Sequence, residues 1–215
     1  MGDALHDDYA EEYDNQASDY GWYPEFVLGL CYEHIQPGDC LLDIGIGTGL
    51  GSLPFARAGL QVTGLDESGK MLEVCRRKGF AQRLYQSDLA CVPWDFQDRQ
   101  FNHVICLGVL HFFDQLEFLI EEVVRVLQPG GIFAFTTNRP GSEHEQGQDP
   151  GNYIMRYVDG VEIFSHHQAY VQELLDSHDL DILKHMQVLL GFRQQYPTDL
   201  INLYVSRKRW EEDNS

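Results

Sequence analysis

With 215 residues, 43% of them hydrophobic and 12% aromatic, the chain is long enough for one domain with a sizeable core and too apolar to stay disordered. Its 34 acids against 15 Lys and Arg leave a formal charge of −19 with the bases dispersed, so the basic face that phosphate neutralisation needs is missing and nucleic acid is not an expected partner. No apolar run approaches the ~18 residues needed to cross a bilayer and no charged-then-apolar leader opens the sequence, which predicts a soluble, cytoplasmic protein with no membrane partner.

The N-terminal stretch is acidic and carries Tyr9, Tyr13, Tyr20, Trp22 and Tyr23; Pro24 then opens a predicted helix from Glu25 to Ile35. Cys40 to Ile44 is an apolar run too short for a helix. Pro37-Gly38-Asp39 bounds it before and Gly45, Gly47 and Gly49 bound it after, so it reads as a buried parallel strand. Residues without Cβ let a ligand approach the main chain, and the amides opening the next helix, predicted from Leu50 to Ala58, present donors. Gln61 to Asp66 is the second strand. Ligands of open α/β sheets sit beyond the carboxyl ends of the strands, so the glycine loop and Asp66 face one crevice, with the Asp66 carboxylate placed for ribose hydroxyls. The separation of roughly 20 residues between loop and acid fits a nucleoside site. The dinucleotide fingerprint G-x-G-x-x-G does not fit, because its third glycine, counted from Gly45, falls on Leu50.

Beyond the fifth strand, Asn138 to Asp149 has loop or lid composition, followed by a possible hairpin of Tyr153 to Val158 and Glu162 to Phe164 about Asp159-Gly160. Ser165 reads as the cap of a helix that presents Val171, Leu174 and Leu175 on one face, and His185 to Gly191 and Leu200 to Arg207 read as the last strands. Arg207-Lys208-Arg209, followed by Glu211, Glu212 and Asp213, reads as a solvated end. Five cysteines (Cys31, Cys40, Cys75, Cys91 and Cys106) lack C-x-x-C spacing, and most are expected to be small buried hydrophobes. His166 and His167 are neighbours, about 100° apart on a helix, so they cannot chelate one ion and no metal is expected.

The alternation Asp43-x-Gly45-x-Gly47-x-Gly49 resembles the first motif of the class I S-adenosylmethionine-dependent methyltransferases. Asp66-Glu67-Ser68-Gly69-Lys70-Met71-Leu72 is similar to the second motif and Gln86-Ser87-Asp88-Leu89 to the third. Phe101 to His111 resembles the fourth strand and its loop, and Val126 to Gly131 the turn into the fifth strand, Ile132 to Phe135. The resemblance covers about residues 9 to 137. Ile46 departs from it, standing where many relatives have Cys or a small residue. Tyr13-Asp14-x-x-Ala17-x-x-Tyr20 resembles the N-terminal segment of the small-molecule enzymes related to ubiquinone and menaquinone biosynthesis, in which aromatics close over the cofactor. The other reading of these tyrosines is plain packing of an N-terminal helix.

The resemblance implies an α/β, Rossmann-like, seven-stranded mostly parallel sheet with helices on both faces and an antiparallel edge near the C-terminus. It divides one methyltransferase domain into an aromatic lid and helix (1–36), a cofactor core (40–137), a substrate or lid insertion (138–164) and a final helix with two strands (165–207). The implied cofactor is S-adenosylmethionine, leaving as S-adenosylhomocysteine. The implied cofactor contacts are Asp43 near the amino group, Gly45, Gly47 and Gly49 in the loop, and Asp66 with Glu67 at the ribose. Met71 packs near adenine, Asp88 and Leu89 reach its amine and edge, Leu107 lies in the loop after the fourth strand, and Tyr13 and Tyr20 form the lid. A carboxylate pressed on the sulfonium would stabilise the starting cation more than the transition state, so these acids are expected at the cofactor periphery. Methyl transfer to an unidentified small molecule by in-line displacement is the implied reaction; a protein acceptor or an inactive binding protein are the alternatives. His111 is the histidine placed to act as a base if the acceptor needs one, the other reading being a residue that shapes its loop. Arg139 would hold an anionic acceptor or stand as an exposed loop charge.

Overall fold

A computed structural model of the protein describes residues 9–140, 150–158, 160–191 and 199–210. Helices α1 (Tyr13–Tyr20) and α2 (Glu25–Cys31), the latter prolonged by a 3-10 turn over Tyr32–His34, precede strand β1 (Cys40–Ile44). Then come α3 (Leu53–Arg57), β2 (Gln61–Asp66), α4 (Gly69–Lys78), β3 (Arg83–Gln86) and β4 (Phe101–Cys106). A 3-10 turn over Leu110–Phe112 leads to α5 (Glu117–Val126) and β5 (Leu127–Asn138), followed by the hairpin β6 (Tyr153–Val158) and β7 (Val161–His166). Helix α6 (Gln168–Ser177) and strands β8 (Leu180–Leu190) and β9 (Asp199–Lys208) complete the order.

The first five strands lie in the order β3-β2-β1-β4-β5, all parallel, and β9 and β8 continue the sheet antiparallel beyond β5. The expected seven strands with an antiparallel edge are therefore present. The hairpin adds two more, for nine, because β7 joins β5 only at its tip, where Asn138 pairs with Ser165. The strand order reverses between β1 and β4, and the crevice beyond their carboxyl ends is where an open α/β sheet binds ligands.

Successive strand residues face opposite sides, so one sheet feeds two apolar layers. Leu42, Val104 and Phe133 join Ile120 and Val123 of α5 and Val171 and Leu175 of α6 on one side. Their neighbours Leu41, Ile105 and Ile132 join Val27 of α2, Phe55 of α3 and Leu72 of α4 on the other. Burial on both faces explains why these strands are nearly continuous apolar runs. Cys31, Cys75 and Cys106 are buried as expected, whereas Cys91 is exposed.

Local departures from the sequence reading have local causes. The helix expected from Leu50 begins at Leu53, beside Pro54, because the loop uses Leu50 to Ser52 to turn. Ser165 does not cap α6: pairing of Ile154 with Ser165 and Tyr153 with His166 keeps the chain extended to His166, and α6 starts after His167. Of the basic cluster expected to be a solvated end, Arg209 is exposed but Lys208 is not. Lys208 is buried, its Nζ donating to the carbonyls of Val124 at 2.7 Å and Leu127 at 2.9 Å at the carboxyl end of α5, and Arg209 contacts Asp176, Asp179 and Asp181. Asp159 and 141–149 of the expected insertion lie outside the described residues, and among those described no helix is long and apolar enough to cross a membrane.

The loop from β3 to β4 is tied to α5 by a buried acid. Glu122 accepts from the Trp94 amide at 2.7 Å, and Arg125 donates to Glu122, to the carbonyls of Trp94 and Phe96, and to Asp98. Replacing Arg125 by Met leaves the Glu122 charge buried without its partner. The expected cost is about 3 kcal/mol of stability, read as a lower urea midpoint at unchanged slope.

Candidate functional site

At the end of β1 the chain turns through Gly45, Gly47 and Gly49, whose φ angles are 71°, 54° and 83°. The amides of Gly45 and Ile46 both donate to the Leu65 carbonyl, at 2.7 and 3.1 Å, which moors the loop to β2. The glycines do different work. A Cβ on Gly45 would meet Val109 at 2.3 Å and one on Gly49 would meet Phe80 at 2.5 Å, so these two permit close packing. Nothing lies within 4 Å of a Cβ on Gly47, whose backbone conformation and open face toward the crevice leave room for a ligand.

Asp66 closes β2 and holds the site together. Its Oδ2 accepts from the Gly47 amide at 2.7 Å and its Oδ1 from the Ser68 amide at 2.8 Å. Ser68 in turn caps α4, its hydroxyl accepting from the Met71 amide at 3.1 Å, and so sets Met71 against the crevice. An ionised carboxylate has about four acceptor positions, so bonds from a sugar diol are compatible with the two backbone bonds. Asp88 accepts from the Ala90 amide at 2.8 Å, a local turn that exposes Asp88 and buries Leu89 beside it.

Asp43 is buried under the loop, and its Oδ2 has no hydrogen-bond partner among the described residues. Burial pushes its carboxyl up to about 7, with the nearby Ser52 hydroxyl pulling the other way and the Asp66 charge adding to the rise. A small chamber lined by Tyr13, Trp22, Asp43, Gly47 and Leu107 adjoins it. A buried acid lacking a donor is suited to a ligand that brings a cationic amine.

Helix α1 lies over this chamber. Asp14 accepts from the Thr48 hydroxyl of the glycine loop at 2.5 Å and from Lys78 of α4, and Glu11 takes both its bonds from Arg77 at 2.6 Å. Tyr13, stacked on Tyr9 and pushed up to about 12 by burial, faces the crevice. Tyr20 does not line it; its carbonyl accepts from the Gly191 amide at 2.8 Å.

These parts line one cavity of about 550 Å³. Of the residues expected at the cofactor, Tyr13, Gly45, Gly47, Asp66, Glu67, Met71, Asp88, Leu89 and Leu107 line it, Asp43 lines the adjoining chamber, and Tyr20 and Gly49 line neither. The rest of its lining comes from Val109, which packs against Gly45, and Phe112 and Phe113 after β4, and from Gly160, Val161, Glu162 and Phe164 of the hairpin. His111 sits in the 3-10 turn with its ring 4.1 Å from that of Phe112, and its neighbours line the cavity while it does not. Arg139 is also outside it, donating to Gln187 at 3.4 Å. His166 is buried between Tyr153 and Tyr170 and pushed down to about 4 by that burial; among the described residues no group of three side chains could hold a metal. Sequence reading missed Asp14, Thr48, Phe112, Phe113 and the hairpin wall, although it had marked the hairpin segment itself.

The Asp14 contacts generate a prediction. Hydrogen bonds to charged groups contribute about 1.5–3 kcal/mol each, so Asp14→Ala is expected to speed amide exchange across α1 by about tenfold or more, with β1 and β4 unchanged.

Comparison with known proteins agrees with this geometry. Residues 42–135 match the model of a methyltransferase domain. Over 189 residues, 86% of this chain and 72% of the relative, it is 30% identical to a malonyl-[acyl-carrier protein] O-methyltransferase from Serratia marcescens. A protein of the same description from Enterobacter lignolyticus is 36% identical over 97 residues, 45% of this chain and 38% of that one. The fold is shared with the Burkholderia thailandensis 1,6-didemethyltoxoflavin-N1-methyltransferase, solved with its substrate and S-adenosylhomocysteine, at a TM-score of 0.68 and 15% identity over 96% of this chain and 88% of that one. With a relative matched over most of its length, the family's domain spanning β1 to β5, and an acid-closed glycine loop at the sheet's switch point, the chain belongs to the class I S-adenosylmethionine-dependent methyltransferases.

Proposed function

We propose that the chain transfers the methyl group of S-adenosylmethionine to a small molecule held between the loop after β4 and the β6–β7 hairpin. The observation that carries this reading is that one cavity is lined both by Asp66 and Met71 and by Phe112, Phe113 and Phe164. Its residues suit the cofactor. The Asp43 carboxyl, with an oxygen lacking a donor, takes the amino group; Asp66 and Glu67 take the ribose; Met71 and Leu89 flank the adenine and Asp88 its amine. When bound, the cofactor supplies a methyl group on a cationic sulfur.

The chain's own part is binding, alignment and exclusion of water. Asp43, Asp66 and Asp88 hold the periphery, where their charge does not stabilise the sulfonium selectively in the ground state. Tyr13 covers one side, and Leu107, Val109 and Phe112 line the passage toward the acceptor, so two reactants meet in one orientation; effective molarities of order 10⁵ M or more follow from such alignment. His111 supports the aromatic turn by contact with Phe112 and is not assigned as a base. The enclosing hairpin favours a small acceptor over a polypeptide, which would need an open groove. The S. marcescens relative is named for a malonyl group on a carrier protein and the B. thailandensis neighbour for 1,6-didemethyltoxoflavin, so their names alone do not choose the acceptor.

Calorimetry is expected to show saturable binding of S-adenosylhomocysteine, lost by at least about a hundredfold in Asp66→Ala, which frees the Gly47 and Ser68 amides as well as the sugar contact. Because Asp43 ionises only as pH rises through about 7, and the ligand amine favours the ionised form, affinity should increase across that interval with release of a proton; Asp43→Asn should bind weakly and flatten the dependence. A labelled methyl supplied on the cofactor to a cell extract should appear in the small-molecule fraction, whereas label in protein would overturn the acceptor class. In single turnover, His111→Asn should keep the rate within about threefold; a loss of 10² or more at unchanged cofactor affinity would make it the base.

A further inference from the structure

We infer that the acceptor is an aromatic ring compound that bears a hydrogen-bond donor and no negative charge, and that Glu162 is the residue that selects it. The inference rests on the methyl-transfer reading and deepens it. At the acceptor end, Phe112, Phe113, Phe164 and Val161 make the wall, and the polar group among them is the Glu162 carboxylate. Tyr157, on the facing strand of the hairpin, donates its hydroxyl to Glu162 Oε1 at 2.6 Å; both side chains are exposed at the mouth of the cavity, and the bond leaves Oε2 for a donor on the acceptor. Ring faces attract other rings and cations, and the carboxylate adds a preference for a phenolic or amine hydrogen.

Charge argues against an anion. Among the described residues that line the cavity there are four carboxylates, those of Asp66, Glu67, Asp88 and Glu162, and no Lys, Arg or His. Arg156, in the hairpin itself, and Arg139, at the end of β5, do not line the cavity; they donate to Ser165 and Gln187. The sequence outside the described residues supplies one Arg, Arg193, no Lys, and two histidines, His6 and His144. A carboxylate acceptor, such as the malonyl group for which the S. marcescens relative is named, would thus enter an apolar, acidic end without a partner cation. The net charge of −19 opposes its approach from solution as well.

The test uses three probes on one skeleton, naphthol, naphthylmethylamine and naphthoate, titrated by calorimetry into the full chain saturated with S-adenosylhomocysteine. Naphthol and the amine should bind at least about tenfold more tightly than naphthoate, the ratio expected when a charged group is buried without a partner. Glu162→Gln should weaken the amine by about tenfold and narrow its lead over naphthoate, and Glu162→Lys should bring naphthoate binding up, as sign reversal at one charge requires. Equal or tighter binding of naphthoate, absence of binding by all three, or an amine affinity untouched in Glu162→Gln overturns the inference. Absence of S-adenosylhomocysteine binding in the first titration overturns the methyl-transfer reading itself, and this inference with it.

Discussion

One carboxylate sits at the junction of everything that makes the site. Asp66 is the last residue of β2, and its two oxygens take the amide of Gly47 from the loop after β1 and the amide of Ser68 at the start of α4. A charged acceptor bonded to two backbone donors is among the stronger polar contacts available at a sheet edge. It holds the glycine loop in its positive-φ course, orients the cap that places Met71, and puts negative charge on the wall of the cavity. Fastening the scaffold and lining the cavity are then properties of the same side chain, and a substitution there alters both together.

The acids around the cavity act differently because their surroundings differ. Asp66 and Asp88 are bonded to backbone amides at the rim. Asp43 is enclosed, with one oxygen lacking a donor among the described residues, and burial pushes its carboxyl up to about 7. Lys208 and the Glu122–Arg125 pair are the counterpart in the scaffold: charges taken out of water and fully bonded, whose work is to fix α5 and the loop between β3 and β4.

Two attachments to the parallel core complete the enclosure. Helix α1 is held from outside by Asp14 and Glu11 through Thr48, Lys78 and Arg77, contacts that bind a mostly polar helix of eight residues lacking any buried side chain of its own. The β6–β7 hairpin touches the sheet at one pair and contributes the wall at the acceptor end. Both are attached by few contacts to a core that does not need them, which is the arrangement in which recognition can change while the cofactor site stays fixed.

The sequence by itself determined the strand order's raw material and the glycine loop with the acids that line the crevice beside it. Apolar runs, the glycine spacing and acids at or just after the ends of the first three strands are local patterns, and the parallel strands convert them into one crevice because they point the same way. Even the hairpin was legible, since Asp159-Gly160 between two alternating runs is a local signal. Tertiary structure alone decided the rest: that Asp14 reaches Thr48 and Lys78, that Phe112 rather than His111 meets the cavity, that Glu162 and Phe164 face Phe113's end of it, and that Lys208 is buried. These pairs are far apart in the chain or turn on the rotation of one short 3-10 segment. Neither a distance in space nor a side chain's direction is encoded in any window of sequence shorter than the fold itself.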